Sequence, residues 1–194
     1  VPVSPASMPT SCTMTGNTGD NLQVALDSAV RGDYVCLAAG ATFVGNFILG
    51  PTSGSGWITV GAAPNNPSLP APGQRMDPAR AGQLPKLLTP NSNPALSTAD
   101  YAAKWVVVGL ELGVSPGVFT YQIIRLGSYY STTPAPLATG IVLDRLYIHG
   151  NPADNGPRRC IDLDSEDAII MNSYLSECKD AYNDSQAIAG TNGT

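Results

Sequence analysis

Two kinds of short apolar strand recur along this chain with nearly the same step, and that recurrence limits the fold more than any other feature. The first kind is Trp105-Val106-Val107-Val108-Gly109-Leu110-Glu111-Leu112, which can be laid over residues 140–148 and 168–175. Each is an apolar triplet, a small or polar break, then an alternating strand. The second kind is residues 123–126, then 160–163, then 187–190. From Gly109 to Arg145 is 36 residues and from Arg145 to Ser173 is 28; from Ile124 to Ile161 is 37 and from Ile161 to Ile188 is 27. Two series that advance together mark an internal repeat of one coil per roughly 25–40 residues. That is the signature of a solenoid, in which each unit buries its apolar face only against its neighbours. Short strands and variable turns make the expected solenoid all-β. Its core should be stacked from Val107, Leu110, Val142, Leu146, Ile161, Leu163, Ile170 and Ile188.

Composition agrees. Of 194 residues, 20 are Gly and 17 are Pro, while charged residues are only 13%; a helical bundle or coiled coil would show the reverse. Acids outnumber bases 15 to 10, which argues against a protein that tracks nucleic-acid phosphates. No apolar run approaches the roughly 18–20 residues of a membrane helix. One helix is expected at about 20–30, with Asp20 as N-cap and Leu22, Ala25, Leu26 and Ala29 on one face. Residues 1–19 read as an irregular lead-in, and 20–194 as a single domain with loop excursions near 61–100 and 127–138. The chain begins with Val1, so either a targeting segment has been removed or the sequence is a piece of something longer. Cys12–Cys36 and Cys160–Cys178 are the economical disulfide pairings, each closing a modest loop, with free buried cysteines as the alternative.

Residues 22–29 followed by Gly32-Asp33-Tyr34-Val35-Cys36-Leu37 look like the amino-terminal cap of right-handed parallel β-helix proteins, the pectin-lyase-like superfamily. Residues 144–150 and 184–190 resemble coils of its secreted bacterial members. The resemblance covers the chain from about residue 20 to its end and implies a right-handed parallel β-helix with an N-terminal capping α-helix, secreted or at the cell surface. It is specific for fold and weak for activity, because the superfamily spans lyases, hydrolases, epimerases, esterases and adhesins.

Candidate chemistry lies in the charged residues around the second strand series. Stacking that series sets Arg125, Asp162 and Ala189 in one outward column. Arg158, Arg159, Asp164, Glu166, Asp167, Lys179, Asp180 and Asp184 flank it. Such a groove suits an acidic polysaccharide, held directly or through Ca²⁺ on clustered carboxylates. Arg125 and Asp162 are the expected substrate-binding residues, and Asp164, Glu166, Asp167, Asp180 and Asp184 the expected calcium ligands. By resemblance to polysaccharide lyases, Lys179, Arg158 and Arg159 are the expected catalytic groups, a base and a cation acting on the proton α to a carboxylate. The opposing reading is that these charges solvate turns and pair across coils. The lone His149 sits where a strand leaves a coil and reads more readily as a structural corner than as a catalytic group. Trp57 and Trp105 suit sugar stacking, yet each opens an apolar strand and fits the core better.

Two functions therefore stand side by side: a secreted, lyase-like or hydrolase-like protein acting on an acidic polysaccharide, or a non-catalytic solenoid for attachment, glycan binding or assembly. Nothing after residue 190 reads as a second cap. An uncapped last coil predicts self-association through about 160–194, unless the sequence is a fragment.

Overall fold

The computed structural model describes residues 7–127 and 137–190. The excursion expected near 127–138 therefore lies mostly outside the described residues. Strand β1 (Met14–Gly16) and helix α1 (Leu22–Ser28) come first. Strands then follow in threes: β2 (Tyr34–Leu37), β3 (Thr42–Val44), β4 (Phe47–Leu49); β5 (Ile58–Ala62), β6 (Lys86–Thr89), β7 (Leu96–Thr98); β8 (Ala103–Val108), β9 (Glu111–Val114), β10 (Gln122–Gly127). Two more threes complete the set: β11 (Thr139–Asp144), β12 (Tyr147–His149), β13 (Arg159–Asp164); β14 (Ala168–Met171), β15 (Tyr174–Ser176), β16 (Gln186–Ala189).

From β2 onward each strand pairs in parallel with the strand three places later, and β1 adds to β2. The result is three parallel sheets. The first runs β1-β2-β5-β8-β11-β14, the second β3-β6-β9-β12-β15, and the third β4-β7-β10-β13-β16. The protein is thus all-β apart from α1 and a short 3-10 helix, Pro78–Gln83, an architecture compatible with a β-helix.

Registry makes each core layer a ladder of like residues. Val35, Val60, Val107, Leu143 and Ile170 stack in the first sheet. Phe43, Leu87, Leu112, Ile148 and Leu175 stack in the second, and Phe47, Leu96, Ile124, Ile161 and Ile188 in the third. Side chains alternate faces along a strand, so each ladder lines one interior wall. A fully buried Leu, Ile or Val here contributes about 1.5–3 kcal/mol. The α1 face carrying Leu22 and Leu26 is buried in the same cluster.

Several expectations change in detail. Each member of the first series is two strands around a bend, and the bend residues Gly109, Arg145 and Asn172 all have left-handed φ of 61°, 52° and 52°. Asp144 pairs with Met171, so Asn172, not Ser173, succeeds Arg145, and the step is 172 − 145 = 27, as in the second series. Val142 is buried on the outer side of the first sheet with Tyr34, Val106 and Val108, not in the interior. Ile188 keeps its interior column but is 43% exposed, because among the described residues no strand follows β16. The stretch near 61–100 holds β6 and β7 as well as the 3-10 helix; these strands are so short that the flanking Pro and Asn residues mask their alternation. Asp20 does not cap α1. Its carboxylate accepts from Asn17 N at 2.7 Å, and Asn21 takes the N-cap position without a side-chain bond.

Both economical cysteine pairings form disulfides, Cys12–Cys36 and Cys160–Cys178, with Cα separations of 5.6 and 5.5 Å. Trp105 is a core residue, fully buried, with its indole N–H donating to Gly50 O at 2.9 Å. Among the described residues no helix is long and apolar enough to cross a membrane.

Candidate functional site

The expected outward column is present in register: Arg125 lies beside Asp162, and Asp162 beside Ala189. It is more enclosed than an open groove. Asp162 is fully buried, and neither of its carboxylate oxygens has a hydrogen-bond partner. Its nearest ion-pair contact is Arg159 Nη1 at 3.9 Å. Burial, and then the neighbouring Asp164 charge, push the Asp162 carboxyl up, against the lowering influence of Arg159 and Arg125. This pair of buried carboxylates belongs to the wall of the third sheet rather than to its solvent-facing rim.

The rim is built by the turns that lead from the second sheet into the third. Arg159 N donates to Tyr121 O at 2.9 Å and Gln186 N to Arg158 O at 3.2 Å, so the three turns stack coil on coil, about 4.8 Å apart. Gln122 pairs with Arg159, which sets Tyr121 next to Arg158. Tyr121 is 56% exposed and Tyr182, in the turn two coils on, 87%. Arg158 Nε donates to Asp184 O at 2.8 Å, and Lys179 Nζ to Pro152 O at 2.7 Å and Glu177 Oε2 at 2.9 Å. The expected catalytic cations Arg158, Arg159 and Lys179 therefore do gather on this rim. Arg159 likewise donates, from Nε to Gln186 Oε1 at 3.1 Å.

Asp180 organises the last turn. Its Oδ1 accepts from Tyr182 N at 3.0 Å and its Oδ2 from Asn183 Nδ2 at 2.9 Å. The Tyr182 backbone N–H, helped by Asn183, Asn155 and Arg158, holds its carboxyl below the ordinary aspartate range despite some desolvation. Glu166 and Asp167 lie instead between β13 and β14, where Glu166 N donates to Ala138 O at 3.0 Å. The five carboxylates expected to hold calcium are thus divided between two corners. Among the described residues no group of three or more His, Cys, Asp or Glu is arranged to hold a metal ion.

A second polar cluster, not singled out from the sequence as a site, covers the outer face of the second sheet. Lys86, Glu111, Tyr147 and Tyr174 form one column in register. Lys86 Nζ pairs with Glu111 Oε2, and His149 Nε2 lies 3.2 Å from Glu111 Oε1. Burial would raise the Glu111 carboxyl, but hydrogen bonds from His149 and Lys86 and their charges outweigh it and hold the group below the ordinary glutamate value. The other His149 nitrogen, Nδ1, lies 2.8 Å from Gly150 O. Its ring stacks on Tyr147 at 4.2 Å. Both imidazole nitrogens lie within hydrogen-bond distance of oxygen atoms. The position of His149 at the end of β12 is that of a corner residue. The signal that could have exposed the cluster is the step itself: Glu111 and Tyr147 are 36 apart, the same spacing as Gly109 and Arg145.

No family model, no curated protein and no solved structure matches the chain. What is established is the class: an all-β protein of three parallel sheets, stabilised by two disulfides.

Proposed function

We propose that the chain is a right-handed parallel β-helix of the pectin-lyase-like kind, capped at its N-terminus by α1, and that it acts outside the cell on an acidic polysaccharide. The observation that carries this reading is the rim between the second and third sheets. There Tyr121, Arg158 and the Lys179-to-Tyr182 segment come from the turns of three successive coils, with both tyrosine rings exposed. Aromatic faces pack against the apolar faces of sugar rings, and guanidinium and ammonium groups pair with uronate or sulfate charges. The coil spacing matches roughly one sugar residue per turn. Two disulfides fit an oxidising compartment.

If the polymer is cleaved as well as held, Lys179, Arg158 and Arg159 are the groups at hand. Their hydrogen bonding favours holding, which keeps the non-catalytic glycan-binding reading beside the lyase-like one. Affinity electrophoresis through gels containing polyuronate or sulfated glycan tests the site. Retention should weaken with added salt and in Arg158→Ala and Tyr182→Ala. Unretarded wild-type migration on every acidic polymer would refute the proposal. Ultraviolet absorbance of an unsaturated product, followed in parallel, separates cleavage from binding.

A further inference from the structure

A cleft of about 640 Å³ lies on the outer face of the first sheet and shares no lining residue with the rim. Residues 7–10 and parts of 64–73 wall it, with Met8, Leu69, Val108 and Met171 supplying apolar surface. Tyr34, Asp144, Arg145 and Asn172 supply the polar part of its lining. These residues come from separate coils and meet only because the coils stack.

The polar lining is built, not incidental. Arg145 occupies a left-handed bend position, φ 52°, where Gly109 and Asn172 stand in the neighbouring coils. Gly and Asn tolerate that backbone; a long side chain there is strained by about 1 kcal/mol. Residues that break a local rule and are held by their surroundings cluster at functional sites. The surroundings do hold this one. Arg145 is only 4% exposed; its Nε donates to Asp144 Oδ2 at 2.7 Å and its Nη1 to Pro70 O at 2.8 Å. Asn172 Nδ2 donates to the other Asp144 oxygen at 3.0 Å. Both carboxylate oxygens are therefore occupied. Arg145 Nη2 has no protein partner among the described residues and is not among the sealed polar atoms. The ion pair cancels its own charge, so the lining favours neither an anion nor a cation. It offers spare guanidinium N–H donors in an apolar setting.

We propose that this cleft binds a small, uncharged aromatic molecule carrying a carbonyl oxygen, with the ring between the Met8 and Met171 side chains and the oxygen accepting from Arg145. The volume falls in the range of about 300–1,000 Å³ usual for small-molecule sites. Thioether sulfurs make favourable contacts with aromatic rings. A carbonyl supplies an acceptor for the spare N–H groups of the guanidinium. The assignment uses none of the residues of the glycan-binding rim and stands or falls separately.

Fluorescence titration of the whole chain with prodan, an uncharged aromatic ketone whose emission shifts blue in apolar surroundings, tests it. One saturable site per chain is expected. Met171→Trp, a change at a partly exposed outward position, should fill the cleft and weaken binding about tenfold or more, the equivalent of 1.4 kcal/mol. The same naphthalene lacking the ketone should bind wild type about tenfold more weakly. Absent or non-saturable prodan binding, or equal affinity in Met171→Trp, would overturn the site. Equal affinity of the ketone and its ketone-free analogue would overturn the role of Arg145.

Discussion

Arg145→Gly sets two effects against each other at one residue, and their sizes decide the outcome. Glycine relieves the left-handed φ of 52°, a gain of about 1 kcal/mol, and Gly109 already fills the same bend one coil earlier. The same change strips the buried Asp144 carboxylate of its guanidinium partner at 2.7 Å and leaves Asn172 as its remaining donor. Removing one member of a buried pair costs about 3–5 kcal/mol, because the orphaned charge stays desolvated. Pro70 O also loses its donor, which loosens the segment of 64–73 that lies over the first sheet. The charge effect wins, and the variant should be less stable by about 2–4 kcal/mol, a fall in midpoint of roughly 5–15 °C for a chain of this size. Urea and thermal unfolding followed by circular dichroism measure it. Adding Asp144→Asn removes the orphaned charge, so the double variant should be more stable than the single one. An Arg145→Gly protein as stable as wild type, or a double variant that recovers nothing, would show that the ion pair contributes no net stability and refute the reasoning.

Two further outcomes follow from the titrating groups. Asp162, fully buried and pushed up by burial and Asp164, binds a proton more readily folded than unfolded, so its contribution falls as pH rises above the unfolded aspartate value near 4. Asp162→Asn should therefore gain stability relative to wild type at neutral pH, with the gain vanishing toward pH 3; a loss at neutral pH would mean that Arg125 and Arg159 overcome burial. Glu111 has the opposite sign: held below its ordinary value, it stabilises fully above about pH 4.3 and loses that contribution as pH falls through its folded value. Glu111→Gln should cost about 1–3 kcal/mol at neutral pH and should blunt the acid-side decline in a pH series of urea midpoints, and an unchanged decline would count against the cluster.

Features that depend on local periodicity are legible in the chain alone. Alternation along a strand puts Ile124, Leu126, Ile161 and Leu163 on one face and Arg125 and Asp162 on the other, whatever surrounds them. The equal steps of two strand series then dictate a stack, and the stack brings Arg125 beside Asp162 and Cys160 within reach of Cys178. Tertiary structure decided which outward face is wet. Val142 and Asp162 both point away from the interior, yet both are buried. The cluster that holds Val142 is packed over by Met8, Trp57, Ala63 and Leu69, remote in sequence, and no pattern in β11 announces it. The carboxylates expected to converge on calcium scattered instead, because each turn satisfies its own backbone N–H groups with the nearest acceptor, as Asp180 does for Tyr182. The cleft around Arg145 was hidden in part. Its lining adds residues 8, 34 and 69 to the bend column of 108, 145 and 172; the repeat step connects the column, and only the tertiary fold brings the others to it.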